Sequence, residues 1–209
     1  MQTQSGYCQQ PFFSEALAFV LTQHGDDGKL RVAGSDTKAG PAVSCYLSPV
    51  HAMMDAAYWM YKGKRYNVSE INMIAPETFA TANGAALVAE VRLGWPAIDG
   101  KIVLESDDNT ATCSRLISHS IPDGVPPFFG PDEDALAQID HLHELAGMFA
   151  WRDIYRDMLN WDKARMERAV TCAIDSMEVS TAKLADCQQI ALFDPEFEQW
   201  HFVPFTETP

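Results

Sequence analysis

The sequence predicts an α+β protein in which a mostly antiparallel sheet carries one early helix and a C-terminal helical layer packed on it. Three observations lead to this prediction. Short apolar segments separated by turn residues fill most of residues 16–117, apolar residues recur every three or four positions from Pro131 to Val179, and two more short apolar segments close the chain. Short runs between turns are typical of strands, and spacings of three and four are typical of a helix.

The first strands are predicted from apolar runs that flank turn residues. Residues 16–22 alone fit a strand or a helix, but the turn signal from His24 to Gly28 and the run at 29–33 favour a hairpin. Further strands are expected at 42–47 and 66–74.

A helix is predicted over residues 49–61. Ser48 is a suitable capping residue, and Pro49 fits the first helical position because its missing N–H would be unpaired there anyway. Gly63 lies just past the expected end, where glycine commonly terminates a helix. The residues spaced for one apolar face are Val50, Met53, Met54, Ala57, Tyr58 and Tyr61.

Three strands are predicted after this helix, at 86–93, 101–105 and 111–117. In the first of them apolar residues alternate with Glu90 and Arg92, as in a strand with one face in solvent. Residues 121–130 contain three prolines and two glycines and are interpreted as a linker. The chain is therefore divided into a strand-rich part with one helix (1–125) and a helical part with a closing hairpin (126–209), within one compact domain.

The helical part opens at Gly130-Pro131, and the acidic residues that follow complement the positive end of a helix dipole. Gly147 is a candidate break, and Asn160 or Asp162 is a candidate cap for a further helix. Two or three helices are expected. The closing segments at 188–193 and 197–205 are predicted to form a hairpin that returns to the N-terminal sheet, since they are too apolar for a solvated tail.

The net charge of −14 is the most unusual global property of the sequence. Residues 131–209 hold 16 acidic and 6 basic residues, so the negative charge is concentrated there. Phosphate contacts require Lys and Arg, so direct nucleic-acid binding is disfavoured. Anionic membranes are disfavoured for the same reason.

The cysteines indicate a reducing compartment. They are five in number and widely spaced, without a CxxC pair, so neither a disulfide framework nor a zinc knuckle is predicted. Residues 1–10 lack the pattern of a secretion signal, and no apolar run approaches the length of a membrane span. We therefore expect a cytoplasmic protein. The cysteines are Cys8, Cys45, Cys113, Cys172 and Cys187.

Three places were considered for chemistry. The segment Asp140–Glu144 places Asp140, His143 and Glu144 on one helix face, but it is not HExxH, and a polar helix face is the favoured interpretation. His119, expected in a loop, is the stronger catalytic candidate, and Cys8 has no adjacent base to activate its thiol. No glycine-rich nucleotide loop is present, so no cofactor and no metal are predicted.

The functional hypothesis is a non-enzymatic acidic protein that binds a basic protein partner, such as an inhibitor or immunity protein that blocks a basic toxin or nuclease. Two alternatives remain: a hydrolase that uses His119 or the Asp140–Glu144 segment, and an oligomeric structural subunit that contacts copies of itself. The predicted partner-binding residues are carboxylates near the linker and two tryptophans that would anchor the contact: Asp107, Asp108, Asp132, Glu133, Asp134, Trp95 and Trp151.

Overall fold

A computed structural model of the chain describes residues 18–38, 40–74, 86–106, 109–120 and 133–205. In these ranges a mixed, mostly antiparallel sheet of ten strands combines with four helices. The predicted α+β class is therefore confirmed. None of the helices in these ranges has both the length and the apolar character that crossing a membrane requires.

Twelve strands lie in the described part of the chain, ten in the main sheet and two, β8 and β9, in a small separate hairpin. Their bounds are β1 Phe19–His24, β2 Leu30–Val32, β3 Gly34–Thr37, β4 Gly40–Tyr46, β5 Asn67–Glu70, β6 Ala86–Ile98, β7 Lys101–Ile102, β8 Glu105–Ser106, β9 Asn109–Thr110, β10 Cys113–Ser120, β11 Gln189–Asp194 and β12 Gln199–Pro204.

Strand β6 organises the sheet because its two halves have different neighbours. Its first half lies between β10, which is antiparallel to it, and β4, which is parallel to it. Its second half pairs antiparallel with β11 and with β7. The path through the sheet runs β12-β11-β6-β4-β1-β2, so the closing hairpin does return to the N-terminal strands, as predicted.

Several strand predictions need correction. The strand expected over 66–74 ends at Glu70, and Ile71–Met73 forms a 3-10 helix. The strand expected over 101–105 is divided into β7 and β8, which pair with different partners. The strand expected to stop at Leu93 continues through Gly94-Trp95-Pro96 to Ile98, because these residues pair with β11. The glycine is needed there, since a Cβ at Gly94 would lie 2.5 Å from the carbonyl oxygen of Ala191. Ser118–Ser120 lies in β10 opposite Ala86–Val88, and not in a loop.

The predicted early helix is confirmed with the expected bounds: α1 spans Pro49–Tyr61. Ser48 precedes it in extended conformation but makes no side-chain capping bond among the described residues; its carbonyl instead accepts the first helical N–H, from Ala52 at 3.1 Å. One face of α1 packs through Ala52 on a small cluster that includes Phe19 and Tyr46. Two of its other buried residues, Val50 and Met54, belong to the main core.

The C-terminal helical layer consists of α2 Glu133–Leu145, α3 Trp151–Asp157 and α4 Lys163–Asp175. Gly147 separates the first two with a φ of 78°, a conformation that glycine adopts without strain. Asp162 is the cap of α4, since its carboxylate accepts the N–H of Arg165 at 2.7 Å. Such a cap stabilises a helix by about 1 kcal/mol. All three helices contribute buried residues to the main core.

Candidate partner-binding surface

Two of the five predicted carboxylates lie in the described part of the chain. Glu133 and Asp134 are exposed in the first turn of α2, where they complement the helix dipole. Asp107, Asp108 and Asp132 lie outside the described residues.

The prediction that Trp95 and Trp151 are exposed anchors is wrong, because their side chains are only 4% and 3% exposed. Trp95 lies on the central strand β6, with its ring 3.7 Å from the ring of His51 between centroids. Trp151 stacks on His143 at 4.2 Å and donates its indole N–H to Asp140 at 3.0 Å. Both indoles stabilise the interior and are not available to a partner.

An exposed acidic sequence with an aromatic residue occurs instead at the turn between β11 and β12, where Glu196, Phe197 and Glu198 are all exposed. Phe197 is 69% exposed, which is unusual for a large apolar side chain. Most of this aromatic side chain is therefore open to solvent. It can contact a partner while the two neighbouring carboxylates meet cationic groups.

The turn is held in place by Asp194, whose side chain is only 3% exposed. Its Oδ1 accepts the backbone N–H of Glu196 at 2.8 Å and that of Phe197 at 3.2 Å. Its Oδ2 lies 3.7 Å from Nε2 of His201 on β12. Glu198 has a φ of 51°, which completes the reversal of the chain. The turn therefore presents its side chains from a defined backbone.

The C-terminal end of α4 lies beside this turn. The indole N–H of Trp200 donates to the carbonyl of Ala173 at 3.1 Å, and Sγ of Cys172 donates to the carbonyl of Glu198 at 3.7 Å. Desolvation, followed by the charges of Glu198 and Asp175, raises the pKa of the Cys172 thiol. The two hydrogen bonds place the end of α4, where Asp175 is exposed, beside the turn. We call Asp175, Glu196, Phe197 and Glu198 the acidic hairpin surface.

The segment Asp140–Glu144 does not form a convergent site. His143, assigned above to a polar helix face, is 1% exposed, and its Nδ1 lies 2.8 Å from the carbonyl oxygen of Ile139. Burial lowers the pKa of His143 to about 4. Asp140 is directed to Arg152 at 2.7 Å and to Trp151. No group of three or more His, Cys, Asp or Glu side chains in the described residues is arranged to hold a metal ion.

The structure gives no support to the other two catalytic candidates, His119 and Cys8. His119 lies in strand β10, paired with Leu87 of β6, and Cys8 lies outside the described residues. Burial raises the pKa of Cys113 to about 12 and that of Cys45 further, so neither thiol is activated as a nucleophile. The hydrolase alternative therefore has no assembled nucleophile and base among these side chains.

A buried ionic cluster was missed by the sequence analysis, which placed Glu90 and Arg92 on a solvent face. Nη1 of Arg92 lies 2.7 Å from Oδ2 of Asp55 on α1, and its Nε lies 3.7 Å from Glu90. The phenol of Tyr46 also donates to Oδ2 of Asp55, and Ser35 donates to Glu90 at 2.7 Å. These bonds connect α1 with β3, β4 and β6, so the cluster positions the helix on the sheet. Strand alternation could not reveal it, because α1 covers the face that alternation assigned to solvent.

Comparison with known proteins gives no assignment: no protein-family model, curated protein or solved structure matches the chain. A function can therefore be inferred only from the positions and the chemistry of this chain's own residues.

Proposed function

We propose that the protein is a non-enzymatic, cytoplasmic binding protein that recognises a basic protein partner through the acidic hairpin surface. An inhibitor or immunity protein that blocks the basic cleft of a toxin or nuclease is the form of this function that we favour. The observation that carries the proposal is the exposed Glu196-Phe197-Glu198 turn, held by the buried carboxylate of Asp194.

The physical properties of this surface suit a cationic partner. Its carboxylates can accept bidentate hydrogen bonds from arginine, and the ring of Phe197 can lie against a guanidinium plane. Because the turn is held by hydrogen bonds, little conformational entropy is lost when a partner binds. The net charge of −14 adds long-range attraction that accelerates encounter with a positively charged protein.

The test is binding of the purified protein to basic proteins encoded beside its gene, measured at several salt concentrations. We expect affinity to fall as salt rises, mainly through a slower association rate. Phe197→Ala is expected to cost about 2 kcal/mol, roughly a 30-fold loss of affinity, if the ring is a central anchor. Glu196→Gln with Glu198→Gln should weaken binding and reduce its salt dependence.

A charge-matched control separates this surface from the general charge of the protein. Asp26→Asn with Glu144→Gln removes the same number of charges at exposed positions outside this surface. It should leave affinity nearly unchanged. If it weakens binding as much as the hairpin variant does, the partner does not use the acidic hairpin surface. Binding that is indifferent to salt, or absent with every basic neighbour, would overturn the proposed function.

A further inference from the structure

A second candidate site lies between α1, the sheet and the end of α4. Here the structure contains a cavity of about 310 Å³. Its walls are mainly apolar, and a volume of this size lies at the lower end of the range for small-molecule sites. The side chains that define it are Met54, Tyr58, Trp95, Leu104, Ile174 and Met177.

One charged residue, Asp55, lies in the wall of this cavity. Its side chain is 1% exposed. Its two oxygens differ: Oδ2 accepts hydrogen bonds from Arg92 and from Tyr46, whereas Oδ1 is buried with no hydrogen-bond partner among the described residues. A buried acceptor without a partner is costly by about 1–3 kcal/mol. A ligand that donates a hydrogen bond to Oδ1 would remove that cost.

The charge of the surrounding cluster favours a cationic donor. Asp55 and Glu90 are two carboxyl groups, and Arg92 is the guanidinium between them. In the described residues the cluster thus carries one more acidic than basic group. An ammonium group beside Oδ1 would balance this charge, whereas a carboxylate would be repelled. The apolar walls would bind the rest of the molecule.

We propose that this cavity binds a small apolar amine, with its ammonium group donating to Oδ1 of Asp55 and its hydrocarbon part packed between Trp95, Ile174 and Met177. Met54 and Asp55 both line this cavity, and the flexible, unbranched side chain of Met54 can adjust to a ligand there. This site is separate from the acidic hairpin surface, and the inference does not depend on the partner proposed above.

Three probes with similar hydrocarbon parts test the proposal: phenethylamine, 2-phenylethanol and 3-phenylpropionate. Binding is measured by calorimetry and by the NMR shift of the indole N–H of Trp95. We expect phenethylamine to bind, the alcohol to bind about tenfold more weakly, and the carboxylate not to bind, because only the first supplies a charge-assisted donor. Equal binding of amine and carboxylate, or no shift with millimolar phenethylamine, would overturn it.

Two variants of α4 locate the site without disturbing the ionic cluster. Ile174 lines the cavity but is 43% exposed, so Ile174→Trp should fill the space and abolish binding without unfolding the protein. Thr171→Trp places the same bulk at an exposed position on the same helix and should bind phenethylamine normally. If Ile174→Trp binds as well as the wild type, the amine lies elsewhere and the assignment is wrong.

Asp55→Asn, in a sample shown to be folded, should lower the affinity for phenethylamine by about tenfold.

Discussion

The buried carboxylate of Asp194 accepts the backbone N–H of Glu196 at 2.8 Å, and this bond fixes the turn that carries the exposed ring of Phe197. A side chain in the interior thus determines the backbone of a surface segment.

Asp194→Ala is expected to lower the free energy of unfolding by about 1–2 kcal/mol, because two backbone N–H groups lose their acceptor. Asp194→Asn retains a side-chain oxygen and should lose less. Urea denaturation measures the stability, and amide hydrogen exchange at Glu196 and Phe197 measures the turn. Unchanged exchange in Asp194→Ala would show that the carboxylate does not hold the turn.

The thiol of Cys172 reports on the convergence of Glu198 and Asp175. Burial and these two carboxylates raise its pKa, so it should react slowly with a thiol reagent at neutral pH. Glu198→Gln with Asp175→Asn should accelerate the reaction at pH 7. At a pH well above the thiol pKa, the difference should disappear. The measurement requires a background in which Cys8 and Cys187 are replaced by serine.

Glu196→Gln is the control for this measurement, because Glu196 is not among the groups that raise the pKa of Cys172. Its rate should match that of the background protein. If the double variant also reacts at the rate of the background protein, Glu198 and Asp175 do not lie near the thiol of Cys172. Asp175 would then not belong to the acidic hairpin surface.

Arg92→Met should destabilise the fold by about 3–5 kcal/mol, because it leaves the carboxylate of Asp55 buried without its cationic partner. Adding Asp55→Asn should recover part of this loss. Arg156→Met is the matched control: its ion pair with Asp153 is exposed, and its loss should cost less than about 1 kcal/mol. Thermal and urea unfolding measure all three. Equal losses for Arg92→Met and Arg156→Met would contradict the structural role of the buried cluster.

His143 should make the protein sensitive to acid. Burial lowers its pKa to about 4, whereas in the unfolded chain it titrates near 6.5. The unfolded state therefore binds more protons between these values, and stability is lost as the pH falls from 6.5 towards 4. The expected contribution is about 3 kcal/mol, since one pKa unit corresponds to about 1.4 kcal/mol.

His143→Gln, which stays neutral over this range, should lose less stability than the wild type between pH 7 and pH 4. The comparison of urea unfolding at the two pH values isolates the imidazole, because the other titrating groups are common to both proteins. An identical pH dependence in the two proteins would show that His143 is protonated within the fold.

The sequence predicted most elements correctly where the signal is local. Helix boundaries are marked by residues that act on the backbone of their own segment, so they can be recognised without knowledge of the fold: Pro49, Gly147 and Asp162. The alternation in residues 86–93 likewise identified β6. Its extension to Ile98 depends on pairing with β11, about a hundred residues later, which no local pattern reveals.

The candidate site was harder to predict for a related reason. Trp95 and Trp151 have polar N–H groups that fit a surface anchor, and their burial depends on partners from other elements, such as His51 and Asp140. The spacing of Trp151 with Tyr155 and Met158 on one apolar face was an available sign that it is buried. Phe197, between two glutamates and after Asp194-Pro195, had the sequence of an exposed turn.

The mixed pairing of β6 has a consequence for biosynthesis. The second half of this strand pairs with β11, which is synthesised about ninety residues later than β6. Until then, the nascent chain has an incomplete sheet edge of the kind that attracts other unfolded chains. The rate at which the complete sheet forms should therefore be limited by closure of the long loop between β6 and β11.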